Sequence, residues 1–308
     1  MLRLGLCCKF FREPIAFKDA TAAALARLPR DRQLAKLSQL ALANAASLRQ
    51  ALAYCATHGI GCFRVSSRIL PLQTHPAVGY AVAELPDAEA IATAFVSCGA
   101  FARERGLRLT FHPDQFILLS ALDPEIIRKS VLDLECQATV AAWIGADVIN
   151  VHAGGAYGDK AAALRRLTAS LRALPPAVRT RLTLENDDRV YTPADLLPLC
   201  RDTETPFVYD VHHHRCLPDG LSVADVTRQA LATWDREPLF HISSPRDGPG
   251  KQPGPHHDFI APSDFPQEWR ALDLTLEVEA KAKEVAVARL RRALAKERVP
   301  LWGGPLSP

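Results

Sequence analysis

The segment Phe207-Val208-Tyr209-Asp210-Val211-His212-His213-His214-Arg215 decides how the chain is read, because a short apolar run stops at an acid followed by three histidines. It reads as a buried strand whose end carries metal ligands. Strand side chains alternate between faces, which puts Asp210 and His212 on one side and His213 on the other, so the segment alone does not fix which imidazole points inward. A lone histidine triplet is more often a surface tract of biased composition than a site. The rest of the sequence has to choose between the two.

Working outward, eight strand-like runs fall at 2–6, 61–66, 108–112, 147–152, 181–185, 207–210, 239–243 and 274–279. Helical spacing fills 32–58, 87–105, 124–144, 159–174, 193–202, 222–234 and 280–296, and 263–269 supplies a short helix before the last strand. Start signals support several of these: Asp123-Pro124 with Glu125, Thr192-Pro193 with Asp195, and Ser222 with Asp225. Eight β-α units predict an α/β fold of one domain, a closed (β/α)8 TIM barrel rather than an open doubly wound sheet. The expected domain is 1–298, with 299–308 as an irregular tail. The Gly/Pro-rich stretch 244–255 follows a strand and reads as a long loop at the site, not a linker.

Composition agrees with a globular protein. Of 308 residues, 48% are hydrophobic and 23% charged, which argues against disorder and membrane residence. No apolar run reaches the roughly 18 residues that a membrane-spanning helix needs. The net charge of +3 says little about a polyanionic partner. Eight cysteines without a C-x-x-C pair, and no secretory signal before them, predict reduced thiols and a cytoplasmic location.

The strand ends carry the chemistry: His112, His152, Glu185, Asp210, His241, and the pair Glu277 and Glu279. In a barrel these ends meet on the C-terminal face, where active sites of this fold are built. Each has a bland alternative. His112 reads also as a loop histidine, His241 as a satisfied core residue and Glu279 as an acid opening the last helix, while His75 and His256 lie in loops. Glu185, after Leu182-Thr183-Leu184, is a buried acid that needs a partner, and Asp210 invites the same argument. Together, imidazoles and carboxylates without paired thiolates suit divalent Zn, Mn, Fe or Co. Two to three such ions stabilise attacking and leaving oxygens and lower a bound water's pKa from about 15.7 towards 7. Phosphodiester hydrolysis fits best; a sugar isomerase could use the same ligands.

The motifs, taken in order, resemble the ultraviolet damage endonuclease family, related to endonuclease IV. They run from Leu4-Gly5 through Phe63-Arg64-Val65-Ser66-Ser67, Thr74-His75-Pro76 and Phe111-His112-Pro113-Asp114-Gln115-Phe116. Val151-His152-Ala153-Gly154-Gly155, Leu184-Glu185-Asn186-Asp187, Asp210 to His214, His241-Ile242-Ser243, Pro255-His256-His257-Asp258 and Glu279-Ala280-Lys281 follow. The resemblance implies an endonuclease that cuts 5′ to UV photoproducts and other distorting or abasic lesions in duplex DNA, leaving a 3′ hydroxyl. It implies one ion at His112, His152 and Glu185, and a second at Glu185, Asp210, His241 and Glu279. A third would take His213 and His256, with His75 nearby. Manganese is the expected metal, with Zn, Co or Mg as alternatives, and Glu185, Asp210 and Glu279 are the expected catalytic carboxylates.

Gln115 and Phe116 resemble the family's Gln-Tyr lesion probe, without the phenolic hydroxyl. Phosphate contacts are expected among Lys9, Arg12, Arg64, Arg68, Lys160, Arg189, Arg215, Arg246 and Lys251. Two other positions depart from the family: Leu6 replaces an aromatic, and Leu239 replaces a lysine that can be modified beside the metals. Both leave open a barrel that binds DNA without cutting it. No obligate protein partner is implied.

Overall fold

The computed structural model describes residues 1–113, 116–247 and 256–303. Eight parallel strands form a closed barrel in sequence order. They are β1 (Leu2–Cys7), β2 (Cys62–Val65), β3 (Arg108–Phe111), β4 (Val148–His152), β5 (Leu182–Glu185), β6 (Phe207–Asp210), β7 (Leu239–Ile242) and β8 (Leu274–Val278). The helices are α1 (Ala22–Leu25), α2 (Arg30–Thr57), α3 (Ala88–Glu104), α4 (Pro124–Ile144), α5 (Lys160–Ala173), α6 (Pro176–Arg179), α7 (Pro193–Thr203), α8 (Val211–Cys216), α9 (Val223–Leu231) and α10 (Lys283–Lys296). All eight expected strands form, each within two residues of its predicted ends. The three proposed caps also form: the side chains of Asp123, Thr192 and Ser222 accept from the backbone N–H groups of Glu125, Asp195 and Asp225. The short helix expected at 263–269 is instead two 3-10 turns, Pro262–Asp264 and Gln267–Trp269. Pro266 between them supplies no N–H to carry a helix through.

The two faces of the sheet differ in kind. Leu4, Phe63, Phe111, Leu184, Phe207 and Phe240 point outward and join the helices in one apolar core. Full burial of each such side chain contributes about 1.5–3 kcal/mol. The inner face is polar in its upper part, where Arg64, Thr110, Asn150, Thr183, Glu185 and Glu277 bond to one another across the lumen. A TIM barrel is ordinarily filled by branched aliphatic residues. Here that filling shrinks to Val148, Val208 and Leu239, with Trp234 against them.

The barrel closes where β1 meets β8, with Leu2 beside Leu274 and Leu6 beside Val278. The described part of the expected tail is ordered against this seam. The Leu2 N–H donates to Pro300 O at 2.8 Å, and the Trp302 N–H donates to Leu2 O at 2.9 Å. Among the described residues, no helix is long and apolar enough to cross a membrane.

Candidate metal centre

Glu185 ends β5 at the middle of the mouth, wholly buried. Its Oε2 lies 3.0 Å from His112 Nε2 and 3.9 Å from His152 Nε2, and its Oε1 lies 3.1 Å from His241 Nδ1 and 3.4 Å from His213 Nδ1. The Asn150 amide donates to Oε2 at 2.6 Å from below. The structure therefore gathers His112, His152, His213 and His241 around one carboxylate.

The histidine triplet separates into three roles. Asp210 ends β6 and caps α8, its carboxylate accepting from the N–H groups of His212 and His213 at 2.7 and 2.9 Å. The strand therefore stops at Asp210, and a helical turn brings His213 back over it, with Nδ1 3.7 Å from Asp210 Oδ2. The inward imidazole is His213, not the His212 favoured by period two. His212 faces His256 with ring centroids 5.7 Å apart. His214 is buried between the Tyr209 hydroxyl at 2.8 Å and Asp219 at 2.9 Å, away from the centre.

On the opposite side, β8 and the residue after it present Glu277 and Glu279 to Arg64. The guanidinium contacts Glu277 at 3.1 Å and also pairs with Glu279. Glu279 in turn lies 3.6 Å from His241 Nδ1 and 3.6 Å from His256 Nδ1. The Cys7 thiol faces the two acids within ligand-to-ligand distance and donates to Val278 O at 3.5 Å. The sequence reading placed Glu277 at the strand end without giving it a role, and it missed Cys7. Period two predicts that Glu277 shares the inner face with Glu279, and Arg64 inside an apolar strand signals a buried acid opposite.

Burial opposes the charge on Glu185, but His241 and His152, with hydrogen bonds from His112 and His213, outweigh it and hold the carboxyl well below its usual range. Burial also disfavours the charged forms of His213 and His241. Asp210 and Glu185 overcome it at His213, and Glu185 with Glu277 at His241, raising both well above the ordinary histidine value. At His152 burial wins and lowers the value, Glu185 offsetting it only in part. Burial would likewise raise Glu277, yet Arg64 and His241 keep it below the usual range. The buried carboxylates thus favour the charged forms of His213 and His241, but not of His152.

Four groups of side chains offer ligand atoms within 4.8 Å of one another: His112, His152 and Glu185; His112, His241 and Glu279; Glu185, Asp210 and His213; and, on the far side, Cys7, Glu277 and Glu279. Asp210 Oδ2 is buried and has no hydrogen-bond partner among the described residues. An orphaned carboxylate oxygen beside imidazoles fits a divalent cation, because a buried ion left unpaired costs several kcal/mol.

Other expectations land elsewhere. His75 does not join the ligands: its Nδ1 accepts from the N–H groups of Ala77 and Val78 at 3.1 and 3.3 Å, in a groove of about 400 Å³ that also holds Phe116. Phe116 stands 70% exposed at the rim. Gln115 and Lys251 lie outside the described residues. Arg64, expected at a phosphate, is mostly buried and pairs with the two acids, while it also lines the mouth cavity. Lys160 pairs with Asp195 at 2.7 Å, Arg215 donates to Asp264 O at 2.9 Å, and exposed Arg246 pairs with its neighbour Asp247. Leu6 belongs to the outer apolar core, so that position concerns packing rather than the mouth. Leu239 lies in the aliphatic plug below the ligands, two residues down the same face from His241.

The model of the family described as UV-endonuclease UvdE matches residues 2–300 of this chain. The chain belongs to the UV-endonuclease family. As a member it is an endonuclease, a phosphodiester hydrolase. The UV DNA damage endonuclease of Deinococcus radiodurans is 36% identical over 296 residues, covering 94% of each chain. That of Bacillus velezensis is 34% identical over 294 residues, covering 91% of this chain and 89% of the relative. The crystal structure of SacUVDE superposes with a TM-score of 0.86 at 26% identity, over 97% of this chain and 100% of the other. Endonuclease IV from Thermus thermophilus shares the fold, with a TM-score of 0.61 at 19% identity over 96% of this chain and 99% of the other.

Proposed function

We propose that this endonuclease repairs damaged duplex DNA, hydrolysing the phosphodiester 5′ to UV photoproducts and other distorting or abasic lesions and leaving a 3′ hydroxyl. The observation that carries this reading is the ring of His112, His152, His213 and His241 around Glu185, with the orphaned Asp210 oxygen beside it, at the mouth of a barrel of this family. Two to three divalent ions, manganese first, with Zn, Co or Mg as alternatives, supply Lewis-acid stabilisation of the oxygens that carry charge during displacement.

The chain's own residues do the rest. Glu185, Asp210 and Glu279 hold the negative charge that keeps cations at the mouth, and His112, His152, His213, His241 and His256 complete the ligand set. A cavity of about 760 Å³ opens beside His112 and Glu279 and is lined by Lys9 and Arg68, which suits a phosphate backbone. Phe116, exposed at the rim, offers a ring on which an unstacked base can lie. In this reading the enzyme works in the cytoplasm on nucleoid DNA, and residues 1–298 form its one catalytic domain.

The test is to incubate purified protein and manganese with intact, abasic and UV-irradiated duplexes and to map the nicks. Incision immediately 5′ to the lesion, abolished by chelation and restored by manganese, is expected. Equal cutting of intact duplex, or incision that survives exhaustive chelation, would refute the reading.

A further inference from the structure

Glu277 is a buried acid one layer below the ligands, and nothing in the reaction outlined above uses it. It is 1% exposed, and it sits directly beside His241 in the register of β7 and β8. The fold makes room for it. On the neighbouring strand its register partner is Gly5, where a Cβ would press on Glu277 Cγ at 3.2 Å and Cys62 Cβ at 3.3 Å. Thr110 donates to its Oε1, and Arg64 meets its Oε2 at 3.1 Å. A buried Glu-Arg pair is not by itself a gain in stability, because apolar residues of similar volume often do as well. Its direction is the informative part.

The other carboxylate contact is to His241, whose Nε2 lies 3.1 Å from Glu277 Oε2, an ion-pair contact bent out of hydrogen-bond alignment, and makes no hydrogen bond to any described residue. A bare lone pair on Nε2 would face an anion in a buried lumen, so that nitrogen carries the proton. Nδ1 is then the nitrogen left for a cation, and it points at Glu185 Oε1 and Glu279 Oε1, 3.1 and 3.6 Å away. Two other ligands are held the opposite way round. His112 Nδ1 donates to Pro113 O at 3.1 Å and His213 Nδ1 to Asn186 O at 2.9 Å, which leaves Nε2 as the nitrogen for a cation in each, at His112 the one that faces Glu185 Oε2. His241 thus differs from both in nitrogen and in being steered by a carboxylate.

We propose that Glu277 is a positioning residue for metal binding: it fixes His241 with Nε2 protonated and Nδ1 turned to the cation, while Arg64 and Thr110 hold Glu277 in place. A carboxylate behind an imidazole ligand sets its tautomer and raises its basicity, and losing such a partner typically lowers metal affinity about 10–100-fold. The inference rests on the metal reading given under the proposed function.

The test uses full-length protein loaded with zinc and labelled with ¹⁵N-histidine, so that long-range correlations report which ring nitrogen binds metal. Wild-type protein is expected to show His241 bound through Nδ1 with a protonated Nε2, against Nε2 binding at His112 and His213. Glu277→Met, which keeps length and removes the carboxylate, is expected to weaken zinc affinity about 10–100-fold and to erase that signature. Glu277→Gln, which keeps an acceptor oxygen, should lose less. Nicking by Glu277→Met should recover when manganese is raised to saturation. Zinc uptake with His241 bound through Nε2, or unchanged affinity in both variants, overturns the inference alone. Wild-type protein that takes up no zinc overturns the metal reading and this inference with it. Should the variants not fold, the wild-type spectrum decides by itself.

Discussion

The two sides of the mouth solve the same electrostatic problem differently. On the β3 to β6 side, Glu185 and Asp210 are buried among imidazoles, and their charge is balanced only by protons or by ions that come from outside. On the β1, β2 and β8 side, Glu277 and Glu279 share Arg64, a cation that cannot leave and does not titrate in the working range. One half of the centre is exchangeable and the other is permanent. An enzyme that must gain and hold metal gets a responsive site from the first and a rigid wall from the second.

Removing the exchangeable half should cost most. Breaking a buried ionic centre costs about 3–5 kcal/mol, so Glu185→Gln is expected to lower nicking roughly 10²–10³-fold and to strip bound metal, read by nick mapping and elemental analysis. Normal nicking and metal content in that variant would remove Glu185 from the centre. On the permanent side, Arg64→Met leaves Glu277 and Glu279 facing each other without their cation. Denaturant titration should then show a loss of about 3–5 kcal/mol, relieved in part by added manganese; no loss would mean the wall needs no guanidinium.

A smaller effect separates the sides by pH. In metal-free protein the depressed Glu185 value adds stability that is present above the unfolded carboxylate range near 4.3 and is lost as pH falls through the folded value. The raised His213 and His241 values add stability that is full below about 6.5 and is lost as pH rises through their folded values. Through these three groups the chelated protein should be most stable between about pH 4.3 and 6.5, with His152, lowered by burial, working against them on the acid side. Metal binding should release these imidazole protons at any pH below the raised folded values, within that window and above it. A thermal midpoint that stays flat from pH 6 to 9 without metal would contradict this. The smallest effect tests the neighbour of an inward imidazole. His214→Gln should cost about 1–3 kcal/mol by disturbing the Tyr209 and Asp219 partners while leaving metal content intact, whereas His213→Gln should do the reverse.

Most of the barrel was legible in the sequence because each strand is a short apolar run closed by a polar residue, and the helices announce their starts through Asp123, Thr192 and Ser222. Strand ends also told which side chains would converge. What escaped was local backbone geometry. Period two, extended past Asp210, favours His212, and only the family resemblance pointed to His213, since no sequence rule shows that Asp210 accepts two amide protons and starts a helix at once. His75 looked like a ligand because its loop adjoins the mouth, yet its ring is occupied by its own turn. Arg64 resembled a phosphate contact because its acidic partners, Glu277 and Glu279, lie at the other end of the chain.

The β1 to β8 seam carries one more consequence, for the order of events during synthesis. His112, His152 and Glu185 leave the ribosome well before Glu279, and Leu2 waits nearly the whole chain for Leu274. Pairings that distant form late, because the connecting chain must first be ordered. A growing chain thus holds imidazoles and acids that have not yet met across the lumen. Metal kept tightly at this centre is a certificate that the last strand has found the first.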